Sequence, residues 1–205
     1  MGDVLTAKYI QHFVKEKEKI KESVLNHFAV LFLEMAHVLE IYQKTGLVYI
    51  DFKMEQLLVT MEGLLILGDL DSGREVNKEC RDLVYTKSLA PEEVSKRKLP
   101  LKKSDIHTLA QQIIRSLNGL QPDFLEEQHV DTICQEIENR FCQKVIFENQ
   151  IDKDGNKKLG VIDNRGNFDK IKEDIEKILN VNLSNLEEAK TEVYEDRRKI
   201  IAQMY

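Results

Sequence analysis

The stretch Val48–Gly73, VYIDFKMEQLLVTMEGLLILGDLDSG, decides the fold. It holds two short apolar runs, Leu57–Val59 and Leu64–Leu67, separated by Thr60-Met61-Glu62-Gly63. A glycine in so short a connection between apolar runs predicts a β-hairpin. Residues that can carry chemistry flank it: Asp51, Lys53 and Gln56 before, Asp69 and Asp71 after.

Working upstream, Val24, Phe28, Leu31, Met35, Val38 and Tyr42 recur at steps of four and three, with Leu25, Phe32 and Leu39 widening the stripe. This periodicity predicts one long helix over about Ile20–Lys44 with a broad buried face. Thr45-Gly46 stops it, since Gly is the usual residue just past a helix end. Lys8–Lys19 is mixed and charged and reads as a helix with a solvated face. Downstream, Ser72–Leu89 is polar and irregular and reads as a long loop, a kind that is usually functional in compact domains. Ser104–Leu117 is a second amphipathic helix with Ser104 as its cap, stopped at Asn118-Gly119. Three further helices are expected, over His129–Lys144, Asn167–Leu179 and Ser184–Met204. The expected fold class is therefore mainly α (α+β). Residues 1–120 form the unit around the hairpin, and residues 121–205 a helical C-terminal region.

Of the 205 residues, 42% are hydrophobic, enough for a core, and 32% are charged, enough for a well-solvated surface. The net charge of −6 argues against a nucleic-acid or anionic-membrane binder. No apolar run approaches the roughly 18 residues that a membrane span needs. The polar N-terminus lacks a signal-peptide core. Cys80, Cys134 and Cys142 form no CxxC pair, and the last two are spaced like neighbours on a helix face. That pattern reads as ordinary packing in a reducing compartment, so a soluble, cytoplasmic protein is expected.

Three motifs share one register: the stretch around Asp51 and Asp69, then SLAPEE (Ser88–Glu93), then KSDIHTLAQQI (Lys103–Ile113). Over about Ile20–Leu120 the chain resembles the C-terminal lobe of the protein-kinase family. Phosphoryl transfer is a matter of positioning and charge neutralisation, which explains a site built of carboxylates, one cation and metal ligands. The resemblance implies Asp51 as catalytic base and Lys53 as phosphate contact. It implies Gln56, in place of the usual Asn, and Asp69 as Mg²⁺ ligands, with Leu58 as the floor under adenine. Ala90-Pro91-Glu92 matches the end of an activation segment. Asp105 matches the helix carboxylate that braces the catalytic loop, and is expected to be buried while Asp51 is partly exposed. ATP and Mg²⁺ are the cofactors implied.

The departures from the pattern shape the functional expectation. Tyr49 and Ile50 replace the His and Arg that precede the catalytic Asp, so no arginine there can capture an activation-loop phosphate. Gln56 reaches one methylene further than Asn, which loosens a geometry-sensitive ligand. Asp71 replaces a glycine and adds a carboxylate near Asp69, making it a third candidate metal ligand. Few residues precede the long helix, and they offer no Gly-rich loop. The expected function is thus a kinase-like protein related to ATP-dependent phosphoryl transfer onto protein hydroxyls, of serine/threonine type if active, and active only if an N-lobe is supplied elsewhere. The alternative is an inactive pseudokinase serving as a binding module. A protein partner is expected, with no nucleic acid and no membrane span.

Other residues take plainer readings. His107 reads as a core or half-buried histidine, and His12, His27, His37 and His129 form no spaced ligand set, so no zinc site is expected. Tyr85 and Thr86 read as loop residues rather than phosphate acceptors. Arg74, Lys96, Arg97 and Lys98 read as a solvated face. Asp152, Asp154, Asn156, Lys158 and Asp163 fall at EF-hand positions, but Lys157 replaces the turn glycine and Asp163 the bidentate Glu. A hairpin with an Asp-Gly turn, flanked by Val145–Ile151 and Lys158–Ile162, is preferred over a calcium loop.

Overall fold

The structure is a computed structural model that describes residues 20–96, 98–118, 127–142, 150–151, 157–158 and 165–202. Lys8–Lys19, Arg97 and most of the Asp152–Asp163 loop lie outside the described residues. The chain is mostly helical, with small two-stranded antiparallel sheets.

The first helix, α1 (Ile20–Lys44), is the axis of the fold. Leu25, Phe28, Phe32, Met35 and Leu39 are buried at three- and four-residue steps. Leu31, Val38 and Tyr42 are only half-buried, so the centre of the stripe lies one residue away from the expected one. Ala29 and Ala36, fully buried, bring that stripe close to its neighbours. Each fully buried large side chain here contributes at most about 1.5–3 kcal/mol. The helix ends with Thr45 N–H on the Tyr42 carbonyl and Gly46 N–H on the Gln43 carbonyl, both at 3.0 Å. Gly46 sits at φ 86°, a left-handed conformation in which any Cβ is strained.

Strand β1 (Leu47–Tyr49) follows and pairs with β4 (Gly73–Glu75), Val48 opposite Arg74. The loop expected over Ser72–Leu89 therefore begins with a strand. Gly-Arg-Glu shows no apolar alternation, and its strand arises from backbone pairing alone. Between these two strands, β2 (Leu57–Val59) and β3 (Leu65–Leu67) form the expected hairpin, Leu57 opposite Leu67 and Leu58 opposite Ile66. Alternation along each strand turns Leu57, Val59, Leu65 and Leu67 inward and leaves Leu58 and Ile66 exposed.

A one-turn helix, α2 (Glu92–Ser95), leads into α3 (Lys102–Asn118). Ser104 is not the cap. It sits inside α3, where its hydroxyl accepts the Leu101 N–H at 3.1 Å, the reach-back half of a capping box. Helices α4 (Glu127–Phe141), α5 (Ile171–Leu179) and α6 (Leu186–Ala202) complete the chain. Two short strands, Gln150–Ile151 and Lys157–Lys158, pair antiparallel as the preferred hairpin requires. One apolar cluster unites α1, β1, β2, α3, α4 and α5, and runs from Leu25 to Leu183. Among the described residues no helix is long and apolar enough to cross a membrane.

Candidate functional site

The turn after β1 carries Asp51 and Lys53, held from beneath by the brace from α3. Asp105 is fully buried. Its Oδ1 accepts the Tyr49 N–H at 2.9 Å and its Oδ2 accepts Gln43 Nε2 at 2.7 Å. Burial pushes the Asp105 carboxyl up to about 7, while these two donors pull it back down. A backbone amide buried beside β1 has no water available, so this carboxylate fixes the strand that leads into Asp51.

Asp51 is not partly exposed as expected; it is 5% exposed. Both of its oxygens have partners. Lys53 Nζ lies 2.7 Å from Oδ2, and the Thr86 N–H donates to Oδ1 at 2.7 Å. The first partner comes from the adjoining turn and the second from the far end of the loop after β4. Burial follows from that enclosure, because an ionised carboxylate leaves water only when it is paired and hydrogen-bonded.

A hydrogen-bonded chain then leads from Lys53 to Asp69. Gln56 Oε1 accepts the Lys53 N–H at 3.0 Å, and Gln56 Nε2 donates to Asp69 Oδ2 at 3.1 Å. The hairpin makes this closure, since Gly68 N–H bonds the Gln56 carbonyl at 2.8 Å where β3 returns to the start of β2. Asp51, Lys53, Gln56 and Asp69 thus occupy one neighbourhood. Asp69 adopts φ 51°, unusual for a residue with a side chain, just before a 3₁₀ turn over Leu70–Ser72.

Asp69 and Asp71 are both exposed. Gln56 presents its amide nitrogen to Asp69 because its oxygen is engaged by Lys53. A hard cation at Asp69 therefore meets one carboxylate, and gains the Gln56 oxygen only when that amide turns over. Among the described residues no three His, Cys, Asp or Glu side chains converge. Leu58 is 42% and Ile66 47% exposed, a cross-strand apolar pair on the outer face of the hairpin.

Tyr49, Thr86 and Glu93 also build the site. The Tyr49 hydroxyl lies 2.8 Å from the carbonyls of both Gly68 and Asp69, tying the hairpin exit to β1. Burial raises its phenol well above the ordinary tyrosine value, with the Asp69 charge adding to the rise, so the ring stays a neutral donor. Thr86 contributes its backbone N–H, which carries no side-chain signal in a sequence. Glu93, fully buried, meets the Arg165 guanidinium in a two-pronged pair at 2.6 and 3.0 Å and accepts the Ser104 hydroxyl at 2.9 Å. Its neighbour Glu92 pairs on the surface with Lys96 instead.

Ile50 is buried with Val48 and Val94 beneath Val76, Leu83, Tyr85 and Ala90. The loop is thus seated by apolar contact. Lys98 donates to the Tyr85 hydroxyl at 2.9 Å, and Arg74 donates to the carbonyls of Asp71 and Gly73, so these cations are engaged locally. His107 is half-buried, and burial with the nearby Arg165 charge lowers it to about 4. Cys80, Cys134 and Cys142 are free thiols.

Neither protein-family models nor curated proteins yield a match to this chain.

Proposed function

We propose that the chain carries the catalytic-lobe half of a protein-kinase-like phosphoryl-transfer site. The observation that supports it is the bonded sequence Asp51–Lys53–Gln56–Asp69, assembled from residues on both sides of the hairpin. Asp51 is the base for an incoming hydroxyl and Lys53 the cation beside it. Asp69 holds Mg²⁺ against ATP phosphates, with Gln56 and Asp71 as secondary oxygen donors, and Leu58 meets the adenine. ATP binding needs a cover over the bare Leu58–Ile66 face, contributed by a protein partner. The exposed Leu58–Ile66 face contacts only one side of an adenine, so by itself it binds nucleotide poorly while the entropic cost of association remains whole.

A second reading, a pseudokinase-type binding module, is favoured by the closure of Asp51. Each of its oxygens already has a partner inside the chain and the residue is 5% exposed, so a substrate hydroxyl gains access to it only when Lys53 or Thr86 moves.

A thermal-shift titration with Mg²⁺ and ATP tests both readings. The expected result is a small Mg²⁺-dependent stabilisation that Asp69→Asn abolishes, little further effect of ATP, and no turnover by the chain alone. A Mg²⁺ shift that survives Asp69→Asn would remove the site from this part of the fold. Phosphorylation of a protein substrate by the chain alone, lost in Asp51→Asn, would show that no partner is needed.

A further inference from the structure

An isolated two-stranded hairpin is marginal in water. Here β2 and β3 are three residues each, and their outer face is bare at Leu58 and Ile66, with Met61 and Leu64 exposed beside the turn. Tyr49 and Gln56 fix the open end. The turn end is held by the last helix. Arg197 of α6, 4% exposed, donates from Nη1 to the Gly63 carbonyl at 2.9 Å and from Nη2 to Glu34 of α1 at 2.6 Å. The Tyr194 backbone closes over Gly63 so tightly that a Cβ there would lie 2.9 Å from the Tyr194 carbonyl oxygen. Gly63 also holds φ 87°. A second tie, His27 Nε2 to Asp196 Oδ2 at 3.2 Å, docks the same turn of α6 on α1.

We propose that α6 is a latch on the β2–β3 hairpin, with Arg197 the positioning residue that sets the hairpin bearing Leu58, Gln56 and the approach to Asp69. Removing the latch frees the turn, and the loosened strands no longer hold Gln56 against Asp69. The consequence for a cation at Asp69 rests on the proposed function; the latch itself does not.

Amide hydrogen exchange on the full chain tests it, with Arg197→Ala from one side of the contact and Gly63→Ala from the other. The bonded amides of Thr60, Gly63 and Gly68 should exchange about tenfold or more faster in both variants, as local opening there loses its cost. Amides of α3 should not change. Arg197→Lys keeps the charge for Glu34 but not the fork, and should fall between wild type and Arg197→Ala. The Asp69-dependent Mg²⁺ thermal shift, with Mg²⁺ alone as probe, should change in step, because Gln56 Nε2 no longer occupies Asp69 Oδ2. Local acceleration in a protein that shows no such shift supports the latch and counts only against the proposed function. Unchanged hairpin exchange, or equal acceleration throughout α3, overturns the latch. Should Arg197→Ala fail to fold, Gly63→Ala and Glu34→Gln give the same reading with the guanidinium in place.

Discussion

Two carboxylates at the site, Asp51 and Asp105, are buried and bonded in different ways, and the difference predicts their worth. Asp105→Ala strands the Tyr49 N–H inside the core, and a stranded buried donor costs about 1–3 kcal/mol. Asp51→Ala strands the Thr86 N–H in a partly open position and releases Lys53, 30% exposed, to water. Chemical denaturation should therefore rank Asp105→Ala as the more destabilising, and equal or reversed losses would remove Asp105 as the structural brace. Its pH dependence has a defined sign. With a folded value of about 7 against an ordinary 3.8, the native state binds more protons across that interval. The contribution of Asp105 is full below about 3.8 and lost as pH rises through about 7. The stability of wild type relative to Asp105→Asn should fall between those values, and a flat difference would contradict the assignment. Asp51, Lys53, Gln56 and Asp69 were legible in the sequence because their register is local. Thr86 was not, because it acts through a backbone group, and Arg165 was not, because its partner lies far away in the chain.

At the scale of elements, α1, the β2–β3 hairpin and α3 could be read from periodicity, since each buries one face against the core. Strand β4 could not. Its residues are Gly-Arg-Glu, and what makes them a strand is the partner β1. That pairing depends on Gly73, where a Cβ would lie 1.8 Å from the Tyr42 hydroxyl. Tyr42 in turn packs edge-on against Tyr49 at 5.5 Å and bonds the Leu70 carbonyl at 3.2 Å. Gly73→Ala must displace the Tyr42 ring and disturb both contacts. Gly46→Ala meets no atom within 4 Å and suffers only its left-handed backbone, at about 1–2 kcal/mol. We expect Gly73→Ala to cost more than Gly46→Ala and to shift the near-ultraviolet tyrosine signal, which Gly46→Ala leaves alone. A Gly73→Ala protein of wild-type stability and unchanged signal would show that Tyr42 swings aside freely.

For the molecule as a whole, the sequence suggests a boundary near residue 120, where the legible helix of Ser104–Leu117 ends. Burial does not respect it. Ile133, Ile137, Phe141, Ile175 and Leu179 belong to the same apolar cluster as Phe28, Leu109 and Ile113. The two segments are also joined by a charge pair with almost no access to water, Arg165 at 1% and Glu93 at 0% side-chain exposure. Such a pair is weak evidence of net stability, because desolvation offsets the attraction, but removing one partner leaves an uncompensated buried charge. Arg165→Met is therefore expected to cost about 3–5 kcal/mol, and the double change Arg165→Met with Glu93→Leu to recover most of that loss. Arg140 and Asp174 join α4 to α5 with the arginine 39% exposed, so Arg140→Met should cost no more than about 1 kcal/mol. Urea denaturation followed by far-ultraviolet signal and by tyrosine fluorescence measures all three variants. One coincident transition is expected in each, because the main apolar cluster is shared across residue 120. Two separated transitions, or an Arg165→Met protein within about 1 kcal/mol of wild type, would show that residues 121–205 fold independently of the unit that carries the site.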